Sequence, residues 1–138
     1  MTFVSSAITL NAPADVIWRI ISDFSAACDY LDMVVQCHVE GEGIGALRTL
    51  TGADGSTIIE RLDAIDSTTR QLSYALLSDT PFRNCLTTVN LRDLGLNLVE
   101  VGWSATFEAD GLPSSEAAEL MEGALTANCL ALKKFVEQ

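Results

Sequence analysis

Histidine occurs once, as His38, and lysine and arginine together number 8 against 19 acidic residues. The first scarcity removes most of the chemistry that imidazole supports. His38 follows Cys37, and successive side chains of a strand point to opposite faces, so the two cannot form a nucleophile–base dyad. A triad built on a distant serine needs His38 inside, whereas Val35, Cys37 and Val39 read as the inward set. No Gly-x-Ser-x-Gly elbow occurs. The four cysteines, Cys28, Cys37, Cys85 and Cys129, form no Cys-x-x-Cys pair and show no metal-ligand spacing. We therefore expect no metal and no cofactor. The second scarcity leaves a formal net charge of −11, which repels phosphate backbones and anionic lipid. Nucleic acid and membrane surfaces are excluded as partners on that ground.

Long apolar runs are also missing. None approaches the ~18 residues a membrane span needs. The first residues lack a basic segment followed by an apolar one, so no secretion signal is expected. Cysteines in such a chain read as buried free thiols, and the expected location is cytoplasmic. Gly41-Glu42-Gly43-Ile44-Gly45 looks superficially like a dinucleotide fingerprint. It lies between two strands with no helix following, which makes it a hairpin.

What is present is a core. Hydrophobic residues make up 49% of 138 residues, enough for one domain spanning 1–138 without staples. Residues 3–10 alternate as a strand. Pro13 and Asp15 open an amphipathic helix over 13–24, with Val16, Ile17, Ile20, Ile21 and Phe24 at helical spacing. Residues 25–32 form a second brief helix or a turn. Six further strands follow at 33–39, 46–50, 56–64, 71–77, 85–92 and 97–107, joined by turns rich in Gly, Asp, Ser and Thr. Asp110-Gly111-Leu112-Pro113 then breaks the pattern, Ser114 or Ser115 caps, and one long helix runs over 115–137. The expectation is an α+β fold in which a seven-stranded curved antiparallel sheet wraps around a long C-terminal helix.

Alternation assigns the faces. Val99, Val101, Trp103, Ala105 and Phe107 face the helix, as do Cys85, Thr87, Val89 and Leu91 on the neighbouring strand. On the long helix Ala117, Met121, Leu125, Asn128, Leu132 and Phe135 form one stripe. Asn128 is its polar member, and a buried amide needs partners. On the strand 56–64, Ile58, Glu60, Leu62 and Ala64 share the more apolar face. Glu60 then sits among hydrophobic neighbours and needs a cation or hydrogen bonds. Arg48, on the face of Ala46 and Leu50, is within reach; the alternative is an ordinary solvated edge carboxylate. Trp18 reads equally as core or as an exposed contact in a homodimer.

Several strings in this order resemble the SRPBCC superfamily, the helix-grip fold of START lipid carriers, birch-pollen-type allergens and polyketide cyclases. Ala12-Pro13-Ala14-Asp15-Val16-Ile17-Trp18 looks like that family's entry into its first helix. Residues 57–63 followed by 69–74 look like its central hairpin, and 99–107 like its last strand. The chain is most similar to small bacterial polyketide cyclase/dehydrase-type members. Glu60-Arg61-Leu62-Asp63, Arg83-Asn84 and Asn128 resemble, more distantly, plant abscisic-acid receptors, which implies that Glu60 and Asn128 face a pocket. The chain departs from those receptors at Val35, which stands where they carry a carboxylate-binding lysine. It departs again in the shorter loop at 51–56, and in Cys85 and Thr87 where they have tyrosine and serine.

Two functions follow as expectations. The first is binding or transport of a small hydrophobic or amphipathic molecule in a pocket between sheet and helix. Its expected lining is Arg48, Ile58, Glu60, Tyr74, Cys85 and Thr87 from the sheet, Val101, Trp103 and Phe107 from the last strand, and Met121, Leu125 and Asn128 from the helix. The second is a cyclase, dehydrase or isomerase with Glu60 as acid or base and Arg48 stabilising an enolate-like oxygen. An arginine beside a carboxylate favours the ionised form, which counts against the acid role. A pocket filled by its own side chains, leaving an interaction module, is the third alternative.

Overall fold

The computed structural model describes residues 1–78 and 80–138. Of the loop expected at 78–84, Asp79 lies outside the described residues. The chain runs β1 (Thr2–Asn11), α1 (Ala14–Ser22), a short 3-10 turn (Phe24–Ala26), α2 (Ala27–Tyr30), β2 (Val34–Glu40) and β3 (Leu47–Gly52). It continues through β4 (Thr57–Asp66), β5 (Gln71–Leu76), β6 (Phe82–Gly95), β7 (Leu98–Ala109) and α3 (Ser114–Val136). All seven strands form one antiparallel sheet in the order β1-β7-β6-β5-β4-β3-β2. The consecutive strands β2 to β7 are a meander, and β1 closes onto β7.

Proline sets both long helix starts. Pro13 (φ −63°, ψ 144°) and Pro113 (φ −59°, ψ 147°) are the N-cap residues, and neither cap carries a side-chain hydrogen bond. This corrects the serine cap expected for the long helix. The ring fixes φ, and the proline carbonyl accepts the first helical bond, from Ile17 N–H at 3.3 Å and Ala117 N–H at 3.1 Å. The first helix stops at Ser22, two residues short of the expected end. Asp23 ends it by accepting from the Ser25 N–H at 3.1 Å and the Ser25 hydroxyl at 2.6 Å. That break turns Phe24 inward, where it is buried.

α3 rests mainly on β1 and β7. Val99, Val101 and Phe107 are wholly buried beneath it, with Trp103 at 2% exposure, as the alternation predicts. Trp18 is core, and its indole N–H donates to Ser67 Oγ at 3.3 Å, which resolves its two readings against an exposed contact. Two register shifts defeat simple alternation. Between Val34 and Gln36 the pairing slips, so Val35 is 62% exposed while Val34, Cys37 and Val39 pack inward. A second slip, between Leu62 and Ala64, turns Ala64 out and brings Ile65 against the core. Phe135, expected on the inner stripe of α3, is 42% exposed, and Cys129 and Ala131 are buried instead.

Truncating Trp103 to alanine should lower the unfolding free energy by about 3–5 kcal/mol, because the site is covered by both helix and sheet. Leu86→Ala, on the outer face of the same sheet, should change it by less than about 0.5 kcal/mol in the same urea titrations.

Candidate functional site

β3 and β4 place Arg48 directly opposite Glu60 in the sheet register, both on the inner face. Arg48 Nε donates to Glu60 Oε1 at 2.7 Å, and the two side chains are 5% and 9% exposed. A buried ion pair recovers its desolvation only when further groups engage the charges. Here the guanidinium lies 4.0 Å from the Phe24 ring centroid and 4.8 Å from that of Tyr74, a cation in the corner the two rings make, their centroids 6.3 Å apart. Its Nη1 donates to the Phe24 carbonyl at 3.4 Å. Burial works against the Arg48 charge, but Glu60 and the neighbouring tyrosines more than offset it and hold the guanidinium above the ordinary arginine range.

Beside this pair the sheet and α3 separate around a cavity of about 340 Å³. Arg48, Leu50, Ile58 and Glu60 line it from β3 and β4; Tyr74, Leu76, Cys85 and Thr87 line it from β5 and β6. Met121, Ala124, Leu125, Ala127 and Asn128 contribute from α3. Leu31, Met33 and Val34 follow from the start of β2 and the link before it, and Thr80 and Phe82 from the link before β6 and its first residue. Nine of the twelve residues expected at a pocket therefore surround one cavity. Val101, Trp103 and Phe107 do not line it. They lie on β7, which α3 covers together with β1, whereas the sheet wall of the cavity comes from β6 across to β2.

Sequence reasoning missed several lining residues for identifiable reasons. Leu50 and Leu76 stand two positions from Arg48 and Tyr74 on the same strands, so alternation already gave their facing. Ala124 lies three positions beyond Met121 on α3, and Ala127 beside Asn128. Val34 was hidden by the register shift, and Phe24, which packs on Arg48 without lining the cavity, by the early end of α1.

The polar atoms of the cavity are few. Among the described residues the hydrogen bond to the Glu60 carboxylate comes from Arg48, on Oε1. No sealed side-chain nitrogen or oxygen lacks a partner among those residues. Glu60 Oε2 and the Asn128 amide have no hydrogen-bond partner among those residues, and both side chains line the cavity. Burial pushes the Cys85 thiol up, against a hydrogen bond from Thr87 that lowers it, so the thiol is protonated and poorly nucleophilic at neutral pH. Burial likewise pushes the Tyr74 phenol far above its ordinary value. Among the described residues no group of three or more His, Cys, Asp or Glu is arranged to hold a metal, and no helix is long and apolar enough to cross a membrane.

Comparison with known proteins gives this geometry a context. A family model described as polyketide cyclase / dehydrase and lipid transport matches residues 1–137. Over 83 residues the chain is 35% identical to abscisic acid receptor PYL2 of Arabidopsis thaliana, a stretch covering 55% of this chain and 44% of the receptor. Among solved structures it is similar to the protein XoxI of Bacillus cereus, at 25% identity and a TM-score of 0.91, covering 100% of this chain and 97% of that one. It also shares its fold with the ZhuI aromatase/cyclase of Streptomyces sp. R1128, at 21% identity and a TM-score of 0.77, covering 98% and 90% of the two chains.

Two predictions follow from the buried charges. Glu60→Leu or Arg48→Met alone should destabilise the protein by about 3–5 kcal/mol, because each leaves an uncompensated charge. The double variant should recover most of that loss in urea unfolding. The second concerns Tyr30, whose phenol is pushed up to about 12 chiefly by burial, with Arg48 opposing and Glu60 and Cys37 adding to it. A phenol raised in the folded state contributes stability that is complete below its unfolded value, ~10, and is lost as pH climbs through the folded one. Unfolding free energy should therefore fall between about pH 10 and 12, and Tyr30→Phe should remove on the order of 2–3 kcal/mol of that fall.

Proposed function

The chain belongs to the polyketide cyclase / dehydrase and lipid transport family, and from that premise we propose that it binds a small, mostly apolar organic molecule in the cavity between sheet and α3. The observation that carries the reading is the cavity itself: about 340 Å³, walled largely by aliphatic side chains, with polar atoms gathered at Arg48, Glu60, Thr87 and Asn128. Apolar walls with a few placed polar groups are the usual construction of a small-molecule site. The apolar body would lie against Leu50, Ile58, Leu76, Met121 and Leu125, and its polar end at the ion pair. The location we propose is cytoplasmic, since all four cysteines are free and suit a reducing compartment.

One observation favours a second reading. Glu60 lines the cavity, and its Oε2 has no hydrogen-bond partner among the described residues, so it is free to take a proton from a bound molecule. No imidazole or second carboxylate lines the cavity to pass that proton on, among the described residues. Binding without turnover is the reading we adopt.

The test is a panel of lipophilic dyes and metabolites screened by thermal denaturation. A ligand at ~100-fold excess over its Kd should add about 2.7 kcal/mol of stability. Ala127→Trp, which fills the cavity from a partly exposed helix position, should abolish that gain while leaving the far-ultraviolet circular dichroism unchanged. A gain that survives the tryptophan would place the ligand elsewhere.

A further inference from the structure

Building on the proposed pocket, we infer that its ligand is electrically neutral at the buried end and carries a hydrogen-bond donor there, such as an alcohol or phenol, and that carboxylate and ammonium ligands of the same skeleton are rejected. The titratable side chains lining the cavity are Arg48, Glu60, Tyr74 and Cys85. The phenol and the thiol stay protonated, so the wall holds one positive and one negative charge, 2.7 Å apart. Tyr30, beside the pair, is also neutral. The polar end is therefore balanced before any ligand arrives.

The positive charge is already matched by Glu60, although Nη2 keeps no hydrogen-bond partner among the described residues. Arg48 Nε is held by Glu60, its Nη1 turns to the Phe24 carbonyl, and the Phe24 and Tyr74 rings, with centroids 6.3 Å apart, pack against the guanidinium from adjoining sides. An incoming carboxylate would meet the free oxygen of Glu60 without a cation of its own, in an apolar enclosure inside a chain of net charge −11. An ammonium ion would find Glu60 Oε2 but leave one excess positive charge next to Arg48. A hydroxyl avoids both penalties: it brings no charge and can donate to Glu60 Oε2, while Thr87 or Asn128, which line the same cavity, can donate to its oxygen. Val34 is the residue that β2 turns into the cavity, and it offers an anion nothing.

The test compares three molecules built on one naphthalene ring: the naphthyl ethanol, the naphthyl acetic acid and the naphthyl ethylamine. Each is titrated into the full chain at neutral pH, with displacement of a bound lipophilic dye as the readout. The alcohol should bind at least about 100-fold more tightly than the acid or the amine. Glu60→Gln keeps the shape and leaves the pair with an excess positive charge, so in that variant the acid should gain on the alcohol. Acid binding equal to or tighter than alcohol binding in the unmodified chain overturns the inference and leaves the pocket reading standing. Failure of all three, with no dye bound either, overturns the pocket reading and this inference together.

Discussion

The buried pairing of Arg48 with Glu60 is the constraint around which this structure is arranged. Two charges on adjacent strands face an apolar interior, where an isolated ion is heavily penalised. Their stability there depends on parts of the chain far apart in sequence. Phe24 supplies a ring and a carbonyl, Tyr74 supplies the second ring, and each comes from a different element. Phe24 reaches the guanidinium because Asp23 stops α1 and starts a tight turn. The break between α1 and α2 thus serves the ion pair, and so does the registration of β3 on β4.

The second constraint is where α3 finds its seat. The helix covers β1 and β7, and the apolar row from Val99 to Phe107 belongs to that contact. The sheet extends five strands further, to β2, with α1 packed against β6 and α2 against β2. Register shifts in β2 and β4 bend these strands, as bulges do, and change which side chains face inward. The cavity lies between the helix seat and this bent region. Packing and charge meet at its edge, which is why the ion pair becomes the polar end of a site instead of part of a filled core.

Much of this was legible in the residues. The order of one strand, short helices, six strands and one long helix followed from periodicity and punctuation, and the face carrying Glu60 followed from its apolar neighbours Ile58 and Leu62. Pairing with Arg48 required only that the two strands be adjacent. The failures have one physical origin: alternation counts residues, and a bulge inserts one. Val35 and Ala64 were assigned inward because nothing in their side chains announces the slip. Val101, Trp103 and Phe107 were assigned to the right face but the wrong surroundings, since periodicity tells which side of a sheet a residue occupies and not what covers it. Phe24 sat at correct helical spacing in a helix that a single Asp–Ser contact had already ended.

The central claim is that an apolar molecule occupies the space bounded by the ion pair and α3. The most direct measurement is a titration followed by heteronuclear NMR, with the backbone and methyl resonances of the whole chain assigned and one bound neutral aryl alcohol as probe. The account predicts saturable shifts concentrated at Ile58, Glu60, Thr87, Leu125 and Asn128, with the outer-face residues Phe3 and Leu86 unmoved. Shifts confined to that outer face, with the cavity residues silent at saturation, would contradict it.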